Sequence, residues 1–224
     1  MSTLDYFSLS HPFAKLRSNA SLKARTIMFD IFMEELRPGK SAKILDVGAT
    51  PDNSLPDSNF FLKLYPYKKN ITSVSIEDLT PLKPLYPEVA FQTTNGKTLP
   101  FDDKSFDIVF SSAVIEHVGS RANQRQFLEE LSRVGKRIFV TTPNRWHPME
   151  FHTILPLIHW LPQAVHQRIL RSIGHEFLSK TENLNLLGKR DFSEIAPTSL
   201  NNTFKFIKFL GFNSNLVFIS DNNV

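Results

Sequence analysis

The feature that most restricts the fold is a succession of short apolar runs, each too brief for a helix and each followed by a segment of different period. Ala42 to Gly48, Ile71 to Ile76, Val89 to Thr93, Phe106 to Ser111 and Arg137 to Thr142 all read as strands. Helical or proline-containing connections separate them. Gln124 to Val134 sets Phe127, Leu128, Leu131 and Val134 along one helical face. A further helix is expected over Ser21 to Arg37, with Leu22, Ile27, Met28, Ile31, Phe32 and Leu36 at helical spacing and Pro38-Gly39 as its stop. Strand, crossover and strand in alternation predict an α/β chain wound on both faces of a largely parallel sheet, with ligands beyond the carboxyl ends of the strands. Near the end, Thr203 to Leu210 and Leu216 to Ser220 flank Gly211 to Asn215, which predicts a closing antiparallel hairpin around that five-residue turn.

A chain of 224 residues that is 41% hydrophobic and carries 20 Phe can bury one sizeable core, so a single domain over residues 1–224 is expected. Within it, residues 1–40 form a helical extension, and residues 148–188 form a helical insertion at the acceptor region. With no cysteine in the chain, disulfides, thiolate metal sites and a cysteine nucleophile are all excluded. The net charge is +4, with no run of five basic residues. That argues against a nucleic-acid partner, while leaving a weak positive field that would favour an anionic ligand. Met1 to Leu16 has no continuous apolar stretch, and Thr153 to Pro162 is interrupted by His159 and two prolines, so no membrane span is expected and a cytoplasmic location is the simplest reading. Ile154 to Ile173, apolar with a basic edge, suits core packing, a lid, a dimer contact or a peripheral membrane contact; the oligomeric state is left open.

Chemistry-bearing residues cluster where these runs end. Gly48 frees the backbone to approach a ligand, and Asp46 can hold a donor beside it. About thirty residues on, Glu77 and Asp78 follow the second run, where an acid can accept both hydroxyls of a ribose or simply cap the next segment. The third feature is the longest: Asn95-Gly96-Lys97-Thr98-Leu99-Pro100-Phe101, an acidic turn, Ser105-Phe106-Asp107, a strand, then Glu116-His117-Val118.

This string resembles the signature of class I S-adenosylmethionine (SAM)-dependent methyltransferases, in particular their large small-molecule group. The resemblance runs from about Lys43 to the C-terminus. It implies a Rossmann-like, doubly wound seven-stranded sheet of order 3-2-1-4-5-7-6 with the seventh strand antiparallel. It also implies SAM as cofactor. Asp46 and Gly48 would line the methionine part, Glu77 the ribose, Asn95 and Gly96 the adenine edge, and Ser111 and Ala113 the methionine tail. Two features depart from the family. Ala49-Thr50-Pro51-Asp52-Asn53 stand where further glycines usually follow, and by strand count the ribose acid falls on Ser75 rather than Glu77.

After the fifth run comes Thr142-Pro143-Asn144-Arg145-Trp146-His147-Pro148-Met149-Glu150-Phe151-His152, similar to a branch of the family tied to cell-surface glycan or lipid synthesis. An activated methyl needs an aligned nucleophile in a dry site, and a hydroxyl acceptor needs a proton acceptor. His152, then His147 and Glu150, are the candidate bases, each of which could instead tie down the loop by hydrogen bonds. Asn144, Arg145 and His117 are candidates to hold the acceptor, which is a small molecule, a glycan or a lipid-linked saccharide. No compact His/Asp/Glu grouping is visible, so no metal is expected. Tyr6, Phe7 and His11 either close over the cofactor or form a tail. Three readings follow: a SAM-dependent methyltransferase acting on a hydroxyl, a catalytically inactive relative serving as a scaffold, and a nicotinamide enzyme, against which the missing pyrophosphate glycines count.

Overall fold

A computed structural model describes residues 14–197 and 201–221, with the side chains of 14–20 left out. Tyr6, Phe7 and His11 lie outside the described residues. Seven strands form one sheet: β1 (Ile44–Val47), β2 (Ile71–Ser75), β3 (Ala90–Thr93), β4 (Phe106–Ser112), β5 (Gly135–Pro143), β6 (Asn201–Phe209) and β7 (Phe212–Asp221). Their order is β3-β2-β1-β4-β5-β7-β6. The first five run parallel, with Ile44 level with both Ile71 and Ile108, and β7 is antiparallel to β5 and β6. This is the sheet expected from the resemblance.

The continuous apolar character of the strands follows from burial on both faces. Alternate side chains enter two separate cores. Ile44, Phe110 and Phe139 point to one, roofed by α1 (Ala14–Leu36) and α2 (Phe60–Leu64). Leu45, Val109 and Val140 point to the other, covered by α3 (Arg121–Val134) and α5 (Lys189–Ile195). Phenylalanine enters both cores, and in the first its rings pack against one another. Phe61 and Phe110 stack with centroids 4.2 Å apart, and Phe32 meets Phe139 edge-on at 5.4 Å. Such pairs add about 0.5–1.5 kcal/mol each beyond the area they bury.

Several elements differ from expectation. α1 begins at Ala14, a full two turns early, and ends as Arg37 turns left-handed (φ 43°) before Pro38. The hairpin turn is two residues, Leu210 and Gly211, at φ 50° and 84°. Two consecutive positive φ values match the strands' right-handed twist, so Asn213 and Asn215 pair within the ladder instead of forming a loop. Residues 148–188 hold only a short turn at Ile158–Trp160 and one helix, α4 (Gln163–Ser172), which Pro162 precedes. α2 and α5 have no counterpart in the sequence reading. The amide of Gly188 donates to Asp191 at 2.8 Å at the start of α5. Among the described residues no helix is long and apolar enough to cross a membrane.

Candidate active site

Beyond the carboxyl ends of β1, β2, β4 and β5 lies a cavity of about 880 Å³. Asp46, Gly48, Glu77, Asn95, Gly96, Ala113, His117 and His152 line it together, although they are spread over more than a hundred positions. Ser111, Asn144, Arg145, His147 and Glu150 do not.

At the β1 end, Gly48 sits at φ 99°, its amide donating to Val74 O at 2.8 Å. A Cβ there would come within 2.2 Å of Val114 Cγ2, so glycine is required for both conformation and space. The non-glycine loop after it does not fill the cavity. Asn59 anchors it, accepting from Thr50 N at 3.1 Å and donating to Thr50 O at 2.9 Å, and Ala49 and Thr50 are left as wall. Asp46 is buried, accepts from Ser73 Oγ at 2.9 Å, and has its carboxyl pushed up to about 7 by burial, against the lowering effect of that bond.

Past β2, burial also raises Glu77, which faces the cavity beside Ser75. Asp78 accepts from Thr80 N at 2.9 Å and from its hydroxyl at 2.7 Å, capping the next turn, as the alternative reading of that acid had it. Asn95 Oδ1 accepts from Lys97 N and Thr98 N, at 2.9 and 3.0 Å, which fixes the loop around left-handed Gly96. Ile76, 60% exposed and opposite Gly96, was missed by sequence reasoning because an apolar residue at a strand end carries no distinguishing signal.

Ser111 is corrected by its neighbour. Its hydroxyl is fully buried and donates to Val47 O at 3.0 Å, tying β4 to β1, whereas Ser112 lines the cavity and shares a 2.8 Å hydrogen bond with Thr141. Successive strand residues face opposite ways, so an error of one residue changes the face. Ala113, which follows, is held at φ 55° with its amide on Thr141 O at 2.9 Å. Such a left-handed non-glycine residue marks a rim under strain.

The loop after β5 divides the remaining candidates. Asn144 is a structural tie, donating to Asn213 O at 2.9 Å. Arg145 turns away to a separate small recess shared with His159 and His166, and its guanidinium lies 5.5 Å from the Trp146 ring. His147 is 4% exposed, receives Met149 N at Nδ1 and stacks on Phe151, also off the cavity. Glu150 organises the loop from behind. One oxygen accepts from His152 N (2.9 Å) and Nδ1 (2.6 Å), the other from Thr153 N (2.7 Å) and Thr153 Oγ1 (2.6 Å). Burial alone would raise this carboxyl. The charge of His152 and these hydrogen bonds outweigh burial and hold it at about 2. As an ionised acceptor it fixes the proton of His152 on Nδ1.

His117 lies beside His152, ring centroids 4.9 Å apart, and its Nδ1 donates to Asn183 O at 2.6 Å. Burial, and then the charge of His152, lower it to about 3, so it is neutral at physiological pH. Glu116 is fully buried. One of its oxygens accepts from Thr142 Oγ1 at 2.9 Å and the other has no hydrogen-bond partner. Burial raises its carboxyl, against the lowering effects of His152, its own backbone and Thr142, with Glu150 adding a further rise. Glu116, His117 and His152 bring one donor atom each to within 4.8 Å of one another, which corrects the expectation that no such grouping exists. The 34 residues between the second and third members hid it. Arg25 of α1 also reaches the cavity wall, bonded to Asp57 and lying 5.5 Å from the Phe60 ring, with no sequence signal to single it out.

Residues 61–138 match the model of a family described as a methyltransferase domain. No curated protein matches the sequence. Among solved structures, a protein of Pyrococcus horikoshii OT3 is 15% identical, with 98% of this chain and 95% of that one covered at a TM-score of 0.59. The magnesium protoporphyrin IX methyltransferase of Synechocystis PCC 6803, solved with bound S-adenosylhomocysteine (SAH), is 11% identical, with 97% and 91% covered and a TM-score of 0.59. The geranyl diphosphate C-methyltransferase of Streptomyces coelicolor A3(2), solved with Mg²⁺, geranyl diphosphate and SAH, is 13% identical, with 99% and 88% covered and a TM-score of 0.58. Residues 61–138 thus match a methyltransferase domain, and the whole chain shares its fold with these solved methyltransferases.

Proposed function

We propose that the chain, acting as a single domain, transfers the methyl of SAM to a hydroxyl of a saccharide, a lipid-linked saccharide or another small metabolite. One observation carries this reading. A single cavity is walled at one end by the Gly48 loop and the Asp46 carboxyl, and at the other by His152 with Glu150 behind it. At about 880 Å³ it lies toward the upper end of ordinary ligand pockets, which run to about 1,000 Å³, so it has room for an acceptor beside the cofactor.

In this reading Asp46 faces the methionine ammonium, Glu77 or Ser75 the ribose, and Ile76 with Asn95 and Gly96 the adenine. Ser112 replaces Ser111 on the cavity wall beside Ala113. Met149, Phe151 and Ile154, from the insertion at residues 148–188, give the acceptor end an apolar face. That face suits a molecule with an apolar portion. The two enzymes of similar fold named above likewise act on small molecules. The acceptor oxygen attacks the methyl in line, the sulfur–carbon bond breaks as the oxygen–carbon bond forms, and Nε2 of His152 takes the hydroxyl proton. Glu150 stabilises the resulting imidazolium, and the protein's share of catalysis is mainly alignment and exclusion of water.

Calorimetry should find SAM and SAH binding at micromolar strength, weakened by Asp46→Ala and by Asn95→Ala. If neither ligand raises the melting temperature at millimolar concentration, the reading fails. Binding with no turnover on any hydroxylated acceptor would favour the scaffold alternative, which the departure from the glycine pattern after Gly48 motivates.

A further inference from the structure

We propose that Glu116, His117 and His152 form a binding site for one divalent transition-metal ion, of the Mn²⁺, Fe²⁺, Co²⁺ or Zn²⁺ type, at the acceptor end of the cavity. This goes beyond the proposed function and rests on it only for the identity of the cavity's other occupants.

Three observations converge. The first is geometric: one donor atom from each residue lies within 4.8 Å of the others, and His117 Nε2 stands 4.0 Å from Glu116 Oε1. Metal bonds of about 2.1 Å on one face of a coordination sphere place donors about 3 Å apart, so closure draws the donors together by about 1 to 2 Å.

The second is the support behind each histidine. Nδ1 of His117 donates to Asn183 O at 2.6 Å and Nδ1 of His152 to the Glu150 carboxylate at 2.6 Å. Backbone carbonyl and carboxylate are the partners that orient metal-binding imidazoles and direct Nε2 at the ion. Glu150 thus orients one ligand from behind while staying outside the cavity.

The third is Glu116 Oε1, wholly buried and without a hydrogen-bond partner, while its twin oxygen is held by Thr142. An unsatisfied buried carboxylate oxygen is costly, and a cation would satisfy it. Among the described residues this cluster meets the geometry for a metal.

Two imidazoles and one carboxylate favour borderline transition ions over Ca²⁺ and Mg²⁺, which prefer all-oxygen sets. Three protein ligands leave positions open toward the cavity, where His117 and His152 already form wall. An acceptor with a hydroxyl, or with two adjacent oxygens, would complete the sphere. With the ion seated, His152 serves as a ligand instead of as base. The ion would supply Lewis-acid chemistry, lowering the pKa of a hydroxyl bound to it.

The test uses the full chain, stripped with a chelator and titrated with Co²⁺ by calorimetry and visible absorption. One ion per chain is expected, with the absorption bands of a nitrogen-containing ligand set. Glu150→Gln should weaken Co²⁺ binding by about 10- to 100-fold, and Glu116→Gln or His152→Ala by more. SAM-induced stabilisation of each variant serves as the folding control. Absence of stoichiometric Co²⁺ binding, or unchanged affinity in Glu116→Gln, overturns the inference and marks Glu116 as a buried neutral acid. Failure of Co²⁺ with intact SAM binding removes the ion alone; Co²⁺ binding without SAM binding removes the methyl-transfer reading alone.

Discussion

Replacing Glu150 by glutamine tests whether one buried carboxylate holds the His152 loop in place. The side chain is 1% exposed and accepts four hydrogen bonds from His152 and Thr153. Its carboxyl is held at about 2, against an ordinary 4.5. A folded-state value below the unfolded one means that stability is present above 4.5 and is lost as pH falls toward 2. At 1.36 kcal/mol per pH unit, the native interactions favour the ionised form by about 3 kcal/mol at pH 7. The independent expectation for losing a buried hydrogen bond to a charged group, about 1.5–3 kcal/mol, is of the same order.

Glu150→Gln should therefore unfold about 3 kcal/mol more easily than the wild type in urea at pH 7. At pH 3, where about half the linkage energy is gone, the gap should shrink by about half. In a chain of this length the pH 7 difference lowers the melting temperature by about 10 °C. A gap below about 1 kcal/mol at pH 7, or one that is the same at both pH values, would refute the reasoning.

The remaining predictions concern the cofactor end and the hairpin. Because Asp46 is pushed up to about 7, its burial favours the folded protein at low pH and disfavours it as pH rises through 7. Asp46→Asn should raise the melting temperature at pH 8 while weakening SAM. Wild-type affinity for the cationic cofactor should tighten from pH 6 to pH 8 and that of Asp46→Asn stay flat, and parallel profiles would remove Asp46 from the site. Gly48→Ala sets a methyl 2.2 Å from Val114 at a left-handed φ, so SAM affinity should fall by at least about tenfold, and near-normal binding by calorimetry would contradict the packing argument. Gly211→Ala meets open space but keeps φ at 84°, so urea unfolding should show a loss of about 1 kcal/mol with SAM affinity unchanged.

The sheet was legible in the sequence because burial on both faces writes itself as short apolar runs, and the string from Asn95 to Val118 resembles a family whose strands follow the order found. The loops were less so. A five-residue hairpin loop became a two-residue turn because paired positive φ values at Leu210 and Gly211 depend on strand twist, which composition does not encode. Within the site, one-dimensional reasoning found Asp46, Gly48, Glu77, Asn95, Gly96, Ala113, His117 and His152 on the cavity wall but could not distinguish Ser111 from Ser112. Nor could it see that His147, Asn144 and Arg145, in the same dense segment as His152, face elsewhere. Chain direction at each residue decides this, and in an irregular loop no period predicts it. The grouping of Glu116 and His117 with His152, and the carboxylate of Glu150 behind it, exist only because β4 and β5 are adjacent and parallel, delivering two distant stretches of chain to the same edge of the sheet.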